Sequence, residues 1–205
     1  DKKIELLTKK HELLEKYKKG LMQKIFSQEI RFKQDDGSDF PDWVEATLGA
    51  IGKFSTSSVD KLTVEGQKLV KLFNYMNVYN HEQIDNKNKK CLMTVSAKDQ
   101  QINSSNLKKG DILFTPSSET PIDIGHSVVI KEDLDNVLFS YHVVRFRPSI
   151  NLDLIFENYF CNCTNILRQF SKFSQGATRY TLSIGLFSKV LIKYPSFDEQ
   201  KKIGL

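Results

Sequence analysis

The N-terminal 30 residues limit the fold most strongly, because they carry a long heptad pattern. Apolar residues recur at the a and d positions of a seven-residue repeat, and Lys and Glu fill most of the other positions over residues 2–30. A helix of that length is a rod of roughly 40 Å, longer than a small domain needs for a core helix of its own. We therefore predict a coiled-coil arm over residues 1–32 that requires a second helix; the alternative is an amphipathic helix packed on its own domain. The predicted partner-helix contacts are Ile4, Leu7, Leu14, Leu21 and Ile25.

A turn-rich segment, residues 34–41, separates this arm from the rest of the chain, and its Pro41 cannot continue a helix. Beyond it, short runs rich in Val, Ile, Leu and Phe end at Gly, Asn, Ser or Pro, which predicts strands. These runs do not alternate regularly with helices, so a doubly wound parallel sheet is not expected. The predicted fold class is α+β: a long N-terminal coiled-coil-type helix attached to a mixed, mostly antiparallel α/β domain over residues 33–195. The predicted strands are Leu69–Phe73, Cys91–Val95, Asp111–Thr115, Ser127–Ile130, His142–Phe146 and Lys189–Tyr194.

Two further helices are predicted within and after this domain. Apolar residues recur at i, i+3, i+4 and i+7 over Leu152–Gln169, and Asn151 is the predicted N-cap. Ser196 and Glu199 have the spacing of a capping box, so residues 196–205 begin another helix. We expect one helix to lead into the domain and another to leave it.

Composition narrows the function classes without choosing one. The 205 residues carry a formal net charge of +5, which suits a polyanionic partner but is also ordinary for a basic protein. No apolar run approaches the roughly 18 residues of a membrane span, and no signal-peptide pattern is present. Three cysteines are an odd number and lack the four-ligand spacing of a zinc site. We expect a cytoplasmic protein whose thiols are structural.

The common catalytic motifs are missing from the sequence. There is no Gly-rich phosphate loop, no dinucleotide fingerprint and no Gly-x-Ser-x-Gly turn. The residues around Asn158 lack the two prolines of the loop that amino-methylating enzymes use for the target base. We therefore expect no catalytic residues, no metal and no cofactor.

Four segments combine side chains that suit DNA, although each is equally typical of a polar loop or turn. Amide and guanidinium groups can recognise base edges, whereas hydroxyl and ammonium groups suit phosphates. Arg179 is the best single candidate for a guanine or a phosphate, and Gly176 allows close approach of the backbone to a ligand. Tyr141 and Arg145 are predicted to share one face of a strand. The candidate DNA-binding residues are Lys68, Lys71, Asn74, Tyr75 and Asn77; Thr115, Ser117, Ser118 and Glu119; Tyr141 and Arg145; and Gln175, Gly176, Thr178 and Arg179.

Several of these segments together resemble a known family. Residues 3–27 resemble the central conserved helix of type I restriction-modification specificity subunits, and Phe40-Pro-Asp-Trp43 resembles its exit into the second target recognition domain. Gly110-Asp-Ile-Leu113 and Gln175-Gly-Ala-Thr178 are similar to internal segments of that domain, and residues 194–203 to the segment that closes it. The resemblance covers essentially the whole chain. Residues 66–80 depart from the family pattern, which affects the assignment of base contacts there.

This resemblance implies a particular division of labour. A full specificity subunit has two recognition domains separated by two antiparallel helices, and each domain recognises one half of a split DNA site. The helices set the spacing and dock the modification subunits, which transfer the methyl group, and restriction subunits join through them. This chain would supply one helix and one recognition domain, and half-subunits of this kind can pair through the helix. Two alternatives are a structural adaptor that assembles protein partners through its coiled coil, and an enzyme with an unrecognised methyltransferase site.

Overall fold

The structure is a computed structural model that describes residues 2–204. It consists of a long first helix followed by a domain in which short strands and short helices alternate irregularly. The helices are α1 (Lys2–Phe26), α2 (Leu48–Ile51), α3 (Tyr75–Tyr79), α4 (Asp99–Ser104), α5 (Leu154–Phe160), α6 (Thr164–Phe173), α7 (Ile184–Ser188) and α8 (Phe197–Gly204), with a 3₁₀ turn at Lys89–Cys91. The strands are β1 (Val44–Thr47), β2 (Gly52–Thr56), β3 (Lys68–Phe73), β4 (Met93–Ala97), β5 (Asn106–Leu107), β6 (Ile112–Phe114), β7 (Ser117–Ser118), β8 (Ser127–Val129), β9 (Leu134–Phe139), β10 (Val144–Pro148), β11 (Tyr180–Thr181) and β12 (Leu191–Tyr194).

The strands form two four-stranded sheets and two short pairs. The first sheet has the order β2-β10-β6-β8 and the second the order β4-β3-β9-β5, while β1 pairs with β12 and β7 with β11. Among the described residues every pairing is antiparallel except that of β3 with β9. The predicted α+β class with a mostly antiparallel sheet is therefore confirmed.

Buried phenylalanines fill the largest core, which lies between the first sheet and the surrounding helices. Phe114 on β6, Phe170 on α6 and Phe187 on α7 are fully buried, and the ring centroids of Phe114 and Phe187 lie 5.4 Å apart. Burial of each such side chain stabilises the fold by roughly 1.5–3 kcal/mol. Two smaller clusters of buried apolar residues hold the second sheet. The large core fixes the turns that connect α6, α7 and the first sheet.

Helix α1 ends at Phe26, earlier than the predicted end near residue 30. Gln28 adopts a left-handed backbone with φ of 61°, and the Glu29 N–H donates to the Lys24 carbonyl. These features form the usual C-terminal cap of a helix. The heptad pattern did not reveal this end. Gln28 falls at a d position, and the residues around it are polar as well, so nothing in the repeat marks the cap.

The two ends of α1 have different surroundings. Ile4, Leu7 and Leu14 keep 66%, 56% and 55% of their surface exposed. Ile25 is 1% exposed and belongs to the large core, and Leu21 packs partly against the same core. The prediction that Ile25 contacts a partner helix is thus corrected, because the domain itself covers it, while the domain covers Leu21 only in part. The exposed apolar stripe is confined to the first part of the helix.

The predicted helix Leu152–Gln169 is two helices, α5 and α6, separated by Cys161, Asn162 and Cys163. The N-cap of α5 is Asp153 and not Asn151, since the Asp153 carboxylate accepts the N–H groups of Ile155 and Phe156 at 3.0 Å. Cys163 is extended, with φ of −71° and ψ of 148°. Apolar residues continue at helical spacing through this break, so periodicity could not detect it.

The segments at the two ends of the domain meet. Val44 on β1 pairs with Tyr194 on β12, and the Arg31 guanidinium donates to Glu199 on α8 at 2.9 Å. The predicted cap of α8 is present in part: Ser196 Oγ accepts the Glu199 N–H at 3.4 Å, but the Glu199 carboxylate binds Arg31 instead. Glu199 is 1% exposed, so the pair is a buried connection between the incoming and outgoing segments.

Candidate nucleic-acid interface

Three of the four predicted segments come together on one surface. The Tyr75 hydroxyl on α3 donates to the Ser117 carbonyl at 2.7 Å. The exposed Arg179 guanidinium donates to Ser117 Oγ at 3.1 Å, and Tyr180 pairs with Ser118 where β11 meets β7. Helix α3, the loop after β6 and the turn before β11 are therefore joined by direct hydrogen bonds. We call this region the loop surface, defined by Tyr75, Tyr79, Ser117, Asp123 and Arg179.

Two stacked tyrosines form the α3 side of the loop surface. Tyr75 and Tyr79 lie one helical turn apart, with ring centroids 6.0 Å apart and an interplanar angle of 16°. The Tyr79 hydroxyl donates to Asp123 Oδ2 at 3.1 Å. Burial raises the pKa of Tyr75, and the bond to the Asp123 carboxylate raises the pKa of Tyr79. Both phenols are protonated near neutral pH and can donate hydrogen bonds.

A chain of polar groups runs from Asp123 through His126 to His81, which is exposed. Asp123 Oδ1 lies 2.8 Å from His126 Nε2, His126 Nδ1 lies 3.2 Å from His81 Nε2, and His81 Nδ1 lies 3.0 Å from the Ser127 carbonyl. We call this the histidine chain. Burial opposes ionisation of Asp123, but hydrogen bonds from His126, Tyr79 and Ser118 outweigh burial and lower its pKa. The chain links the end of α3 to the loop and to β8.

Two glycines with positive φ shape the turns of this surface. Gly125 has φ of 82°, and a Cβ there would collide with the Phe170 ring in the large core. Gly176 has φ of 145°, and a Cβ there would collide with the Arg179 carbonyl. Both positions therefore require glycine. The close approach at Gly176 is to the protein's own chain, because the turn folds back onto Arg179; the predicted approach to a ligand stays a prediction.

The structure corrects two predicted contacts. Thr115 is fully buried. Arg145 is 8% exposed, and its guanidinium donates to the Asn106 carbonyl at 2.6 Å. Neither side chain can contact a surface ligand without rearrangement. Tyr141 is exposed, but it precedes β10 in a turn and does not share a strand face with Arg145.

The β3–α3 candidates are largely occupied by bonds within the chain. The Lys71 ammonium donates to two carbonyls and to Thr94 at 2.9–3.2 Å, which uses all three of its donors. Asn74 caps α3 through the Met76 N–H, and Asn77 accepts the Asn74 N–H. Lys68 forms an exposed ion pair with Asp99 at 2.8 Å. Lys68 can exchange its partner, because both ends of the pair lie in water.

The remaining candidates lie on the loop surface or beside it, and all of them except Ser118 are at least partly exposed. Ser117 is partly buried and Ser118 is buried, and Ser118 Oγ lies 3.5 Å from Asp123. Glu119, Gln175, Gly176, Thr178 and Arg179 are exposed. The main additions from the structure are Tyr79, Asp123 and the two histidines. Only the i, i+3 spacing of Asp123 and His126 was visible in the sequence, and nothing in it linked them to His81.

A second feature lies away from this surface, on α5. Glu157 is 2% exposed, and its Oε2 has no hydrogen-bond partner among the described residues. Burial first, and then the charges of Asp153 and Asp111, raise the pKa of Glu157 to about 8. An open cleft of about 540 Å³ lies beside it, with Arg147 on its wall. Within residues 2–204, no three His, Cys, Asp or Glu side chains are arranged to hold a metal ion.

Comparison with known proteins identifies the family. Residues 42–204 match the model of the type I restriction modification DNA specificity domain. The chain belongs to this family. No curated protein matches the specificity domain chain in a sequence search.

Solved structures of similar fold agree with this assignment. The specificity domain chain is similar to the HsdS subunit from Thermoanaerobacter tengcongensis, with a TM-score of 0.63 and 14% identity, covering 99% of this chain and 45% of that one. It is also similar to a chain from a structure of complex assembly and conformational transition of the type I R-M system, with a TM-score of 0.61 and 15% identity, covering 99% of this chain and 46% of that one. The chain thus spans less than half the length of these neighbours, and the likeness shows the fold. No helix described for the specificity domain chain is long and apolar enough to cross a membrane.

Proposed function

We propose that this chain recognises one half of a split duplex DNA site through the loop surface, within a type I restriction-modification complex. The observation that carries this proposal is the joining of three separate segments around Ser117, in a domain of the DNA specificity family. The loop surface presents the exposed guanidinium of Arg179 beside the Ser117 hydroxyl, and guanidinium and hydroxyl groups bind phosphates and base edges. Modification subunits carry out methylation, and restriction subunits assemble through them. In this proposal the chain supplies no catalytic residues and no cofactor.

Arg179 is the most informative residue for testing DNA recognition. Its guanidinium is exposed and is held by Ser117 Oγ, so it can donate to a guanine or to a phosphate. Arg179→Ala should lower specific affinity by about 1–3 kcal/mol, the contribution of one good base contact. Arg168→Ala, at an exposed position on α6, is the matched control and should leave affinity unchanged.

The assay is selection of binding sites from random duplexes, using the complex assembled with its modification subunit. Wild type should enrich a short motif, and Arg179→Ala should relax one position of that motif if Arg179 contacts a base. A uniform loss over all sequences would make Arg179 a phosphate contact. If wild type enriches no motif and its affinity is insensitive to salt, DNA recognition is refuted, because neutralising phosphates makes binding strongly salt-dependent.

We further propose that the exposed stripe of α1 packs against the same helix of a second half-subunit. Ile4, Leu7 and Leu14 lie on one heptad seam and are more than half exposed. Light scattering of the chain should give twice the monomer mass. Leu7→Ala with Leu14→Ala should shift the mass toward the monomer, whereas Lys9→Ala with Lys16→Ala, off the seam, should not. A monomeric wild-type chain at high micromolar concentration contradicts this pairing.

A further inference from the structure

The geometry of the histidine chain fixes how many protons its two imidazoles carry. The Ser127 carbonyl and the ionised Asp123 carboxylate are both acceptors only. His81 Nδ1, at 3.0 Å from the carbonyl, must therefore bear a proton, and so must His126 Nε2, at 2.8 Å from the carboxylate. The contact of 3.2 Å between His81 Nε2 and His126 Nδ1 needs a third proton between them. Two neutral imidazoles carry only two protons, so these three hydrogen bonds require one more.

We propose that His81 and His126 share one added proton and act as positioning residues for DNA recognition, so that binding weakens as pH rises and this proton is lost. The inference rests on the proposed function of the loop surface. When this proton is lost, one of the three hydrogen bonds breaks, because each hydrogen bond needs a proton of its own and only two protons remain. The break removes one of the links between the end of α3, the loop and β8.

The histidine chain reaches the DNA-facing groups through Asp123. The Asp123 carboxylate also accepts from the Tyr79 hydroxyl at 3.1 Å. Tyr79 stacks on Tyr75, and Tyr75 holds the Ser117 carbonyl. A change at the histidines therefore alters the support of the groups that we propose to contact DNA.

The change in charge on losing the proton should weaken DNA binding, as the change in hydrogen bonding should. With the added proton, the positive imidazole pair balances the negative Asp123, and the chain is neutral overall. Without it, an uncompensated carboxylate lies at a surface that faces phosphates, which lowers affinity. Tyr79 lies against His126, with ring centroids 4.5 Å apart. Other charged groups of this region are Glu119 and Arg179, which act on the pKa values of Tyr79 and Tyr75, and Glu82, which accepts a hydrogen bond from Asn77 of α3.

The proton count can be measured directly. The sequence contains four histidines, so selective ¹⁵N labelling of their rings gives a small set of NMR signals. We expect three ring protons shared by His81 and His126 while the three hydrogen bonds are intact, and one proton fewer once the contact between His81 and His126 is lost. Two neutral rings with one proton each, in a protein that keeps this contact, would overturn the inference. This measurement needs no DNA, so it stands whether or not the proposed function holds.

The effect on recognition is tested with His81→Gln in the assembled complex. A glutamine amide can donate to His126 Nδ1 without an added proton, so the variant should bind DNA with a flat pH profile. As the pH rises and the added proton is lost, wild type should lose affinity by up to about tenfold per pH unit, the limit for one proton. His11→Gln, on the exposed part of α1, is the control and should keep the wild-type profile.

The outcomes separate the two proposals. Equal pH profiles for wild type and His81→Gln overturn the positioning role. Absence of DNA binding by wild type at every pH refutes the proposed function instead. If His81→Gln fails to fold, His126→Gln serves as the second variant, and the NMR proton count decides the shared proton independently.

Discussion

Glu157 should make the stability of this protein fall as the pH rises. The carboxyl is 2% exposed, its Oε2 has no partner among the described residues, and burial raises its pKa to about 8. In the unfolded chain the same group has its ordinary pKa of 4.5. Because the folded pKa is raised, the contribution to stability is fully present below about pH 4.5 and is lost as pH rises through about 8.

The size of the loss follows from the two pKa values. One pKa unit corresponds to about 1.4 kcal/mol, so the free energy of unfolding should fall by about 3 kcal/mol between pH 4 and pH 7. By pH 9, above the folded pKa, the loss should reach about 5 kcal/mol. Glu157→Gln keeps the shape of the protonated acid and cannot ionise. It should therefore match wild type near pH 4 and exceed it increasingly at higher pH.

Urea denaturation followed by circular dichroism at several pH values measures this difference. Glu65→Gln, at an exposed carboxyl, is the matched control and should follow the wild-type curve. The reasoning is refuted if Glu157→Gln and wild type show the same dependence of unfolding free energy on pH. It is also refuted if the variant is less stable than wild type at pH 9, because the carboxylate would then have a favourable partner.

Two further outcomes are expected. Asp123→Asn should weaken DNA binding by about 1.5–3 kcal/mol, since it loses a hydrogen bond to a charged group, and binding measured at fixed salt checks this; tighter binding would mean that the carboxylate acts only by repelling phosphates. Arg31→Ala should lower the free energy of unfolding by about 3 kcal/mol, because it leaves the buried Glu199 without its partner; Arg31→Ala combined with Glu199→Gln should recover part of that loss in urea denaturation.

Local patterns predicted the elements that depend on local sequence. The heptad pattern predicted α1, and apolar runs predicted most of β3, β6, β8 and β12. The mostly antiparallel sheet followed from the absence of regular strand–helix alternation. The strand predicted over residues 142–146 was placed less accurately, because β10 begins only at Val144, after a turn. The pattern of apolar residues within a run cannot show where the turn ends and the strand begins.

The candidate site was predictable by segment but not by side chain. Tyr75, Ser117 and Arg179 were each chosen for their chemistry, and the structure places them together. Arg145 had the same chemistry, but it is 8% exposed and its guanidinium is bonded to the Asn106 carbonyl on β5 of the second sheet. The histidine chain joins residues 45 positions apart. No spacing rule connects such residues, since only the packing of α3 against β8 brings them within reach.

The ends of the domain affect how such a protein can diversify. They are joined by the ion pair of Arg31 with Glu199 and by the pairing of Val44 with Tyr194. The two ends of the domain are fastened to each other by residues that take no part in the loop surface. The loops between them can therefore change in sequence, length and turn type without altering the geometry at which the domain follows α1 and leads into α8. In the proposed function, the DNA target can therefore change while the geometry of the two terminal segments stays fixed, and that geometry can change while the target stays fixed.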